Sequence, residues 1–230
     1  RHINVTKHRS IAIDGPSGAG KSTLAKRLAE ALGFLYVDTG AIYRTVGLQA
    51  FRTGTDPKDA GAVIALLKDM EIRLAYGEDG LQHMYLNGED VTQAIRRHEI
   101  SDYTSSVSAI PEVRAFLMEQ QRGLARSHDV VMDGRDIGTV VLPEADVKIF
   151  LTAAPEARAR RRWLELRERG QETDFETVLR DVLDRDDRDT HRATAPLRQA
   201  EDAVLADTTD KDLEQSLTLL IQIAKERLQA

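Results

Sequence analysis

Five short apolar runs, separated by longer segments with helical spacing, set the hydrophobic pattern of this chain. The runs occupy residues 11–13, 34–37, 129–133, 147–151 and 203–206. In the first intervening segment, apolar side chains recur every four positions at Leu24, Leu28 and Leu32. Buried strands that alternate with amphipathic helices predict an α/β fold, with a five-stranded parallel sheet and helices on both faces.

The helical segments have recognisable limits. Gly33 is a plausible cap at the carboxyl end of the first helix, and Pro111 is well placed to open a second helix within a long helical segment. Further helices are predicted at about residues 41–52, 60–70, 101–124, 155–169, 174–189 and 213–228. The predicted helix from Ala41 carries Arg44 in its first turn, where a cation opposes the helix dipole, so a bound anion is one reason for it.

The period of the pattern changes from helical to alternating between residues 71 and 88. Ile72, Leu74 and Tyr76 alternate with less apolar residues, a turn follows at 77–80, and a second strand is predicted at 81–86 before the turn pair Asn87-Gly88. This spacing predicts a small antiparallel β insertion at approximately residues 70–105. With no internal repeat or linker, the 230 residues indicate an N-terminal tail at 1–9 and a single domain at 10–230.

Composition narrows the classes of partner. The formal charge of -6 disfavours a general nucleic-acid binder, and the lack of cysteine excludes a disulfide framework or a thiolate metal site. No stretch approaches the ~20 apolar residues of a membrane span, and the N-terminus lacks the apolar core of a signal peptide. We expect a cytoplasmic protein with small-molecule substrates, no nucleic-acid partner and no membrane partner.

A phosphate-binding motif follows the first predicted strand. Residues 15–22 read Gly-Pro-Ser-Gly-Ala-Gly-Lys-Ser and match G-x-x-x-x-G-K-[ST] at every specified position. In the context of strand, loop and helix, backbone N–H groups and the helix dipole surround a polyphosphate. Lys21 then reaches the outer phosphates, and Ser22 is placed to hold a magnesium ion.

Arginine is concentrated in one segment, because ten of the 24 arginines lie between Arg158 and Arg192. Planar, bidentate recognition of phosphate or carboxylate explains such a cluster. A solvated, salt-bridged helix face explains about half of these arginines equally well. Asp133, at the end of an apolar strand, is a candidate outer-sphere magnesium partner, or else an ordinary turn acid.

The loop alone fits a GTPase, an ATP-driven motor or a small-molecule kinase. The chain has no Asn-Lys-x-Asp segment that would recognise guanine and no large second domain, which weakens the GTPase and motor interpretations. Several arginines stand at predicted strand ends or at the end of the arginine-rich segment, on the ligand side of a parallel sheet: Arg44, Arg135, Arg185, Arg188 and Arg192. Phosphoryl transfer between two anionic substrates needs this arrangement.

Four blocks of sequence resemble the bacterial cytidylate kinase family. They are residues 13–22, 38–44 (Asp-Thr-Gly-Ala-Ile-Tyr-Arg), 133–141 (Asp-Gly-Arg-Asp-Ile-Gly-Thr-Val-Val), and 185–189 (Arg-Asp-Asp-Arg-Asp) with Arg192. The first block is common among kinases, whereas the other three are far more discriminating. The resemblance runs from about Ile11 to the C-terminal helix.

The resemblance implies transfer of the ATP γ-phosphoryl group to CMP or dCMP in pyrimidine nucleotide metabolism, by a monomer that uses Mg²⁺. It implies a helical lid at about residues 155–172. The implied ATP-binding residues are Gly15, Pro16, Ser17, Gly18, Ala19, Gly20, Lys21, Ser22, Thr23, Arg158, Arg161 and Arg162. The implied CMP-binding residues are Thr39, Arg44, Ser105, Arg114, Arg135, Asp136, Arg185, Arg188, Asp189 and Arg192.

Within these sets, the implied catalytic residues are Lys21, Arg135, Arg185 and Arg192, and the implied metal site is Ser22 with Asp133 as an outer-sphere partner through water. Ser105, Arg114 and Asp136 would recognise the cytosine edge. An ionised Asp136 accepts from the exocyclic amine of cytosine but faces a carbonyl in uracil, so we expect a preference for cytosine. A helix cap or a turn partner to Arg135 is the other interpretation of Asp136.

Two other functions remain open from the residues alone. Another small-metabolite kinase, acting on UMP, AMP or shikimate, would use the same loop and arginines. A regulatory switch that hydrolyses nucleotide slowly would also keep the loop, but it would show no acceptor-dependent release of ADP.

Overall fold

The computed structural model describes residues 7–229, so most of the predicted tail lies outside the described residues. In chain order, the elements are β1 Ser10–Asp14, α1 Lys21–Leu32, β2 Leu35–Asp38, α2 Thr39–Arg52, α3 Ala60–Leu67, β3 Ile72–Tyr76, β4 Gln82–Leu86, β5 Glu89–Asp90, α4 Ile100–Ser108, α5 Pro111–Ser127, β6 Val130–Gly134, β7 Val147–Thr152, α6 Pro155–Glu168, α7 Phe175–His191, β8 Val204–Asp207 and α8 Leu213–Gln229. A 3₁₀ helix at Ala94–Arg96 and a π-helical turn at Ile137–Val141 complete the set.

The predicted five-stranded parallel sheet is confirmed. Its strand order is β2-β6-β1-β7-β8, and β1 pairs in parallel with both β6 and β7. The register places Ile13 opposite Asp133 and Asp14 opposite Gly134. The carboxyl ends of the two central strands therefore meet at one edge of the sheet, beside the loop that follows β1.

The central strands are buried on both faces. Ile11 and Ile13 pack in one core cluster with Leu28 of α1 and Leu220 of α8, and Ala12, which points to the opposite face, is also buried. Each fully buried aliphatic side chain of this size contributes about 1.5–3 kcal/mol to folding. Polar side chains on β1 and β6 are consequently confined to the strand ends.

Contacts divide the chain into two compact units, one holding the chain up to Tyr36 and again from Leu124 onward, the other Val37–Gly123. The second unit contains the predicted antiparallel insertion, confirmed by pairing of β3 with β4 from Ile72 opposite Leu86 to Tyr76 opposite Gln82. The short β5, which the sequence pattern did not predict, pairs with β4. The assignment of residues 10–230 to one domain stays a prediction.

Within residues 7–229, no helix has both the length and the apolar character needed to cross a membrane.

Candidate active site

The phosphate-binding loop connects the end of β1 to the start of α1. Gly15 is required by close packing, because a Cβ there would lie 2.0 Å from the carbonyl oxygen of Leu151 on the neighbouring strand. Gly20 takes a left-handed conformation, with φ of 79°, at the N-cap of α1. The first turn of α1 carries no acidic side chain, so the N–H groups that precede Leu24 and the positive dipole end of the helix are available to an anion.

Lys21 is a buried cation, with 7% of its surface exposed. Burial lowers the pKa of Lys21 from its usual value, and repulsion from Arg135 lowers it further, while Asp133, Asp14 and Asp189 act in the opposite direction. The carboxylates around Lys21 therefore do not fully compensate its burial. A bound phosphate would supply the missing negative charge at this position.

Both oxygens of Asp133, the acid at the end of β6, accept hydrogen bonds. Ser22 Oγ donates to Asp133 Oδ2 at 3.2 Å, and Tyr36 Oη donates to Asp133 Oδ1 at 2.9 Å. Asp133 is 4% exposed. The two residues of the predicted metal site are thus brought into direct contact, and Tyr36 fixes the carboxylate from its other side.

The residues present fit magnesium as an ion shared with a nucleotide. Mg²⁺ prefers oxygen ligands and is usually held by one or two carboxylates together with phosphates and water. A serine hydroxyl and a carboxylate 3.2 Å apart, next to a phosphate-binding loop, are such a donor set. Among the described residues, no group of three or more His, Cys, Asp and Glu side chains could hold a metal ion by itself.

Arg135 follows β6 and is paired with Asp189 near the end of α7, at 2.9 Å between Arg135 Nε and Asp189 Oδ2. Arg185, one turn earlier on α7, has an exposed side chain, yet desolvation first and repulsion from Arg135 second lower its pKa. The structure therefore brings the carboxyl end of β6 and the last turns of α7 together. The guanidinium groups of Arg135 and Arg185 repel each other there, and an anionic ligand would relieve that repulsion.

Asp136 is buried, with 4% of its surface exposed, immediately before the π-helical turn Ile137–Val141. Its side chain makes no cap hydrogen bond to that turn. The turn is held instead by Asp14, whose carboxylate accepts from the backbone N–H of Ile137 at 2.8 Å and of Gly138 at 2.7 Å. Burial raises the pKa of Asp14 to about 6, although these two hydrogen bonds act against the rise.

Two arginines of the predicted lid are already occupied by protein groups. Arg158, on α6, is 3% exposed; it donates to the carbonyl of Ser17 at 3.1 Å and makes a bidentate pair with Asp186 at 2.9 and 2.6 Å. Arg161 donates to the carbonyl of Thr208 at 2.6 Å. Arg158 thus connects the phosphate-binding loop to α7.

Three other arginines of the predicted site belong to the first unit and lie nearer the surface: Arg162, Arg188 and Arg192. Arg162 is 3.6 Å from Glu165 on the same exposed helix face. Arg188 is exposed on α7, and Arg192, which caps that helix, donates from Nε to the carbonyl of Ala195 at 2.7 Å. Thr23, in the first turn of α1, is also exposed.

In the second unit, α2 begins at Thr39, two residues earlier than the sequence predicts, because Asp38 caps it by accepting from the N–H of Ala41 at 3.2 Å. Arg44 therefore lies in the second turn, and the expectation that it opposes the dipole in the first turn is wrong. Its guanidinium donates to the carbonyl of Ile95 at 3.1 Å and to Ser101 Oγ at 3.2 Å. Thr39 itself is buried.

Arg114, also in the second unit, is a buried cation with 5% of its surface exposed, whereas Arg44 is half-buried. Its guanidinium lies 5.2 Å from the ring centroid of Tyr43, and Nη1 donates to the carbonyl of Ser108 at 3.4 Å. Ser105 is exposed on α4. Arg114 and Arg44 are thus both held in place by groups of α2, α4 and the 3₁₀ helix.

Sequence reasoning gave no role to three residues that hold this site together: Asp14, Tyr36 and Asp186. Asp14 carried a usable signal, since it is an acid at the end of an apolar strand, the same signal that identified Asp133. Asp186 lies inside the Arg-Asp-Asp-Arg-Asp block. Tyr36 gave no signal, because an aromatic residue in an apolar strand is ordinary.

Comparison with known proteins identifies the family of the chain. A family model described as cytidylate kinase matches residues 11–226. Over 219 residues the chain is 48% identical to a cytidylate kinase of Caldicellulosiruptor bescii, covering 94% of this chain and 96% of the relative. It is 50% identical over 213 residues to a cytidylate kinase of Carboxydothermus hydrogenoformans, covering 93% and 96%.

Among solved structures, an uncharacterized protein from Eubacterium ventriosum has a TM-score of 0.54 at 14% identity, covering 96% of this chain and 99% of that one, which shows similarity of fold alone. The family model and the two relatives each extend over nearly the whole chain. On that match, the chain belongs to the cytidylate kinase family.

Proposed function

We propose that this protein transfers the γ-phosphoryl group of ATP to CMP or dCMP, giving ADP and CDP or dCDP. Together with membership of the family, one observation carries the proposal: Arg135 is close enough to the buried Lys21 to lower the pKa of Lys21 at the carboxyl edge of the sheet. Two cations in that position are stabilised when anions bind between or beside them. A phosphoryl transfer between two phosphate-bearing substrates supplies those anions.

The donor half of the site is the loop from Gly15 to Ser22, with Thr23 following it. Its backbone N–H groups hold the ATP phosphates, and Lys21 neutralises charge on the transferred group. Arg161 and Arg162 on α6 lie in the lid and contact ATP when the lid closes. Arg158 belongs to the same half through its hydrogen bond to Ser17.

Magnesium would be held by Ser22 directly and by Asp133 through water. When bound with ATP, the ion neutralises part of the charge on the phosphate oxygens. The residues themselves keep the two oxygen donors in place: Tyr36 and Ser22 fix the orientation of the Asp133 carboxylate by their hydrogen bonds.

The acceptor half takes the nucleoside monophosphate. Thr39, Arg44, Arg135 and Arg192 surround its phosphate or the approach to it, and Arg185, Arg188 and Asp189 lie toward the sugar. Ser105, Arg114 and Asp136 recognise the cytosine edge. The support for these roles is the burial of Arg114 and Asp136 and the repulsion of Lys21 and Arg185 by Arg135, which an anion would relieve.

Transfer needs no general base from the protein. A phosphate monoester is largely dianionic near pH 7, because its second pKa is about 6, so its oxygen is already nucleophilic. The protein therefore contributes position and charge: Lys21, Arg135, Arg185 and Arg192 stabilise the charge spread over the phosphoryl oxygens in the transition state. The closed lid excludes water, which would otherwise accept the phosphoryl group.

Acceptor specificity tests the proposal. ADP release from ATP and Mg²⁺ is measured with CMP, dCMP, UMP, AMP and shikimate as acceptors. We expect kcat/KM for CMP or dCMP to exceed that for UMP by about five- to 150-fold, because an unpaired buried polar group costs about 1–3 kcal/mol. A higher rate with another acceptor would assign the protein to a different kinase reaction. ADP release that is independent of any acceptor would indicate a nucleotide switch.

The same proposal includes the cellular compartment and the oligomeric state: the protein acts in the cytoplasm and is a monomer. The absence of cysteine suits a reducing compartment. Fractionation of cells and sedimentation of the purified protein test the two statements separately.

A further inference from the structure

Asp14 is a buried acid that the proposed reaction does not use. It is the last residue of β1, directly before Gly15 of the phosphate-binding loop, and only 5% of its surface is exposed. Burying a carboxylate is expensive unless it is paired or hydrogen-bonded. Both of its oxygens are used, for the N–H groups of Ile137 and Gly138.

These two N–H groups begin the π-helical turn that follows Arg135 and Asp136. Inside the turn, the first donors are the N–H groups of Val140 and Val141, which both bond to the carbonyl of Asp136 at 2.9 and 3.2 Å. Ile137 and Gly138 are too early in the turn for internal acceptors of that kind. Asp14 supplies the acceptors from a position more than 120 residues away in the chain.

The turn packs directly against the carboxylate of Asp14 and the side chain of Lys148 at Gly138. A Cβ on Gly138 would lie 3.4 Å from Asp14 Oδ2 and 3.1 Å from Lys148 Cδ. The carboxylate and the turn are therefore fitted to each other closely. The same carboxylate is near Lys21 and Asp136, which interact with it electrostatically.

We propose that Asp14 is a positioning residue, which holds Arg135 and Asp136 in register with the phosphate-binding loop and thereby sets the discrimination between cytosine and uracil. The proposal rests on the base-recognition role proposed for Asp136. A carboxylate that bonds to the two residues after Asp136 limits how far the Asp136 side chain can shift to accommodate another base. The two hydrogen bonds thus fix Arg135 and Asp136 relative to the phosphate-binding loop.

Asp14→Asn tests this role with little change in shape. The asparagine retains one oxygen acceptor, but its NH₂ group faces a backbone N–H, so one side of the clamp is lost. The matched control is Asp146→Asn, because Asp146 Oδ2 accepts from the N–H of Ser10 at 2.8 Å, at the opposite end of the same strand. Measurements are kcat and KM for CMP, UMP and ATP, with thermal unfolding to verify that each variant is folded.

We expect Asp14→Asn to raise KM for CMP about tenfold and to reduce the CMP-to-UMP ratio of kcat/KM by a similar factor, with KM for ATP changed less than threefold. Asp146→Asn leaves the ratio unchanged. A folded Asp14→Asn protein with the wild-type ratio overturns the proposal. If Asp14→Asn does not fold, Gly138→Val decides the matter. A Cβ at this position already lies 3.1 Å from Lys148 Cδ and 3.4 Å from Asp14 Oδ2, so the two further methyl groups of valine displace the turn while leaving Asp14 intact. A wild-type ratio in that variant overturns the proposal equally.

The wild-type protein separates this inference from the proposed function. A wild type without preference for CMP contradicts the proposed function and, with it, the role of Asp14. A wild type that prefers CMP, with an Asp14→Asn variant that prefers it equally, contradicts the role of Asp14 alone.

Discussion

The two ends of β1 carry the same kind of interaction in opposite surroundings. At the amino end, Asp146 accepts from the N–H of Ser10; its side chain is 28% exposed and lies 3.8 Å from Lys7, which is 84% exposed. At the carboxyl end, Asp14 accepts from two backbone N–H groups while 5% exposed, near the equally buried Lys21. An aspartate can therefore accept hydrogen bonds from backbone N–H groups at a water-accessible site as well as at a buried one.

The neighbouring strand β6 shows the same contrast. Asp129, at its amino end, accepts from the N–H of Arg9 at 2.7 Å and has a side chain that is 35% exposed. Asp133, at its carboxyl end, is 4% exposed and is bonded by Ser22 and Tyr36. Both central strands therefore concentrate buried charge at one edge of the sheet.

The difference between the two ends shows that the protein tolerates unfavourable burial of charged groups at the carboxyl edge of the sheet. At the carboxyl edge, burial disfavours the charged form of both Asp14 and Lys21, raising the pKa of the first and lowering that of the second. Such opposing shifts in one place are typical of functional sites. The amino edge of the same strands is a useful internal control, because substitutions there alter charge and hydrogen bonds without the proposed substrate-binding role.

Loss of the lysine from the carboxyl edge should give the largest effect. We expect Lys21→Met to reduce kcat about a hundred- to a thousandfold, because a preorganised charge that stabilises the transition state is usually worth that much. Lys7→Met, at the amino edge, should leave kcat within about twofold, since exposed ion pairs contribute little. Steady-state kinetics with saturating ATP and CMP measure both. Equal losses in the two variants would remove the functional distinction between the edges.

The pH dependence of stability should register the burial of Asp14. Its pKa rises from 3.8 to about 6 on folding, so between these values the folded state binds more protons than the unfolded state. The contribution of Asp14 to the free energy of unfolding therefore falls as pH rises through this window, by at most about 3 kcal/mol. Denaturant unfolding of wild type and Asp14→Asn at several pH values isolates this term as their difference. A difference that grows in favour of wild type as pH rises would contradict the expected sign.

The layout of the sheet was predictable from sequence because it depends on local patterns. The strands, their parallel arrangement and the antiparallel insertion all follow from apolar periodicity and turn residues, and the phosphate-binding loop from a contiguous motif. The contact between Ser22 and Asp133 could also be predicted approximately. Asp133 was expected at the carboxyl end of one strand, and Ser22 in the loop that follows another.

The features that sequence did not reveal depend on distant partners. The π-helical turn Ile137–Val141 is held by Asp14, and nothing in its apolar sequence specifies that acceptor. Asp38 both ends β2 and caps α2, so α2 follows the strand directly, and the sequence pattern alone does not specify that double role. Burial of Arg158 depends on Asp186, on another helix. Local patterns therefore predict elements, whereas the partners of buried charges are set by the assembled fold.

The hydroxyl of Tyr36 offers the finest distinction at the carboxyl edge, because it affects one oxygen of Asp133. Tyr36→Phe removes the 2.9 Å hydrogen bond and leaves the ring in place. We expect the free energy of unfolding to fall by about 1 kcal/mol and the Mg²⁺ concentration for half-maximal activity to rise about two- to fourfold, since a hydrogen bond of this kind is worth about 0.5–1.5 kcal/mol. Tyr85→Phe is the control: Tyr85 lies in the β insertion, with the Arg73 guanidinium 4.3 Å from its ring centroid, and its loss of a hydroxyl should leave the Mg²⁺ requirement unchanged. If Tyr36→Phe lowers stability without changing that requirement, Tyr36 supports the sheet edge alone and the metal role of Asp133 does not depend on its orientation by Tyr36.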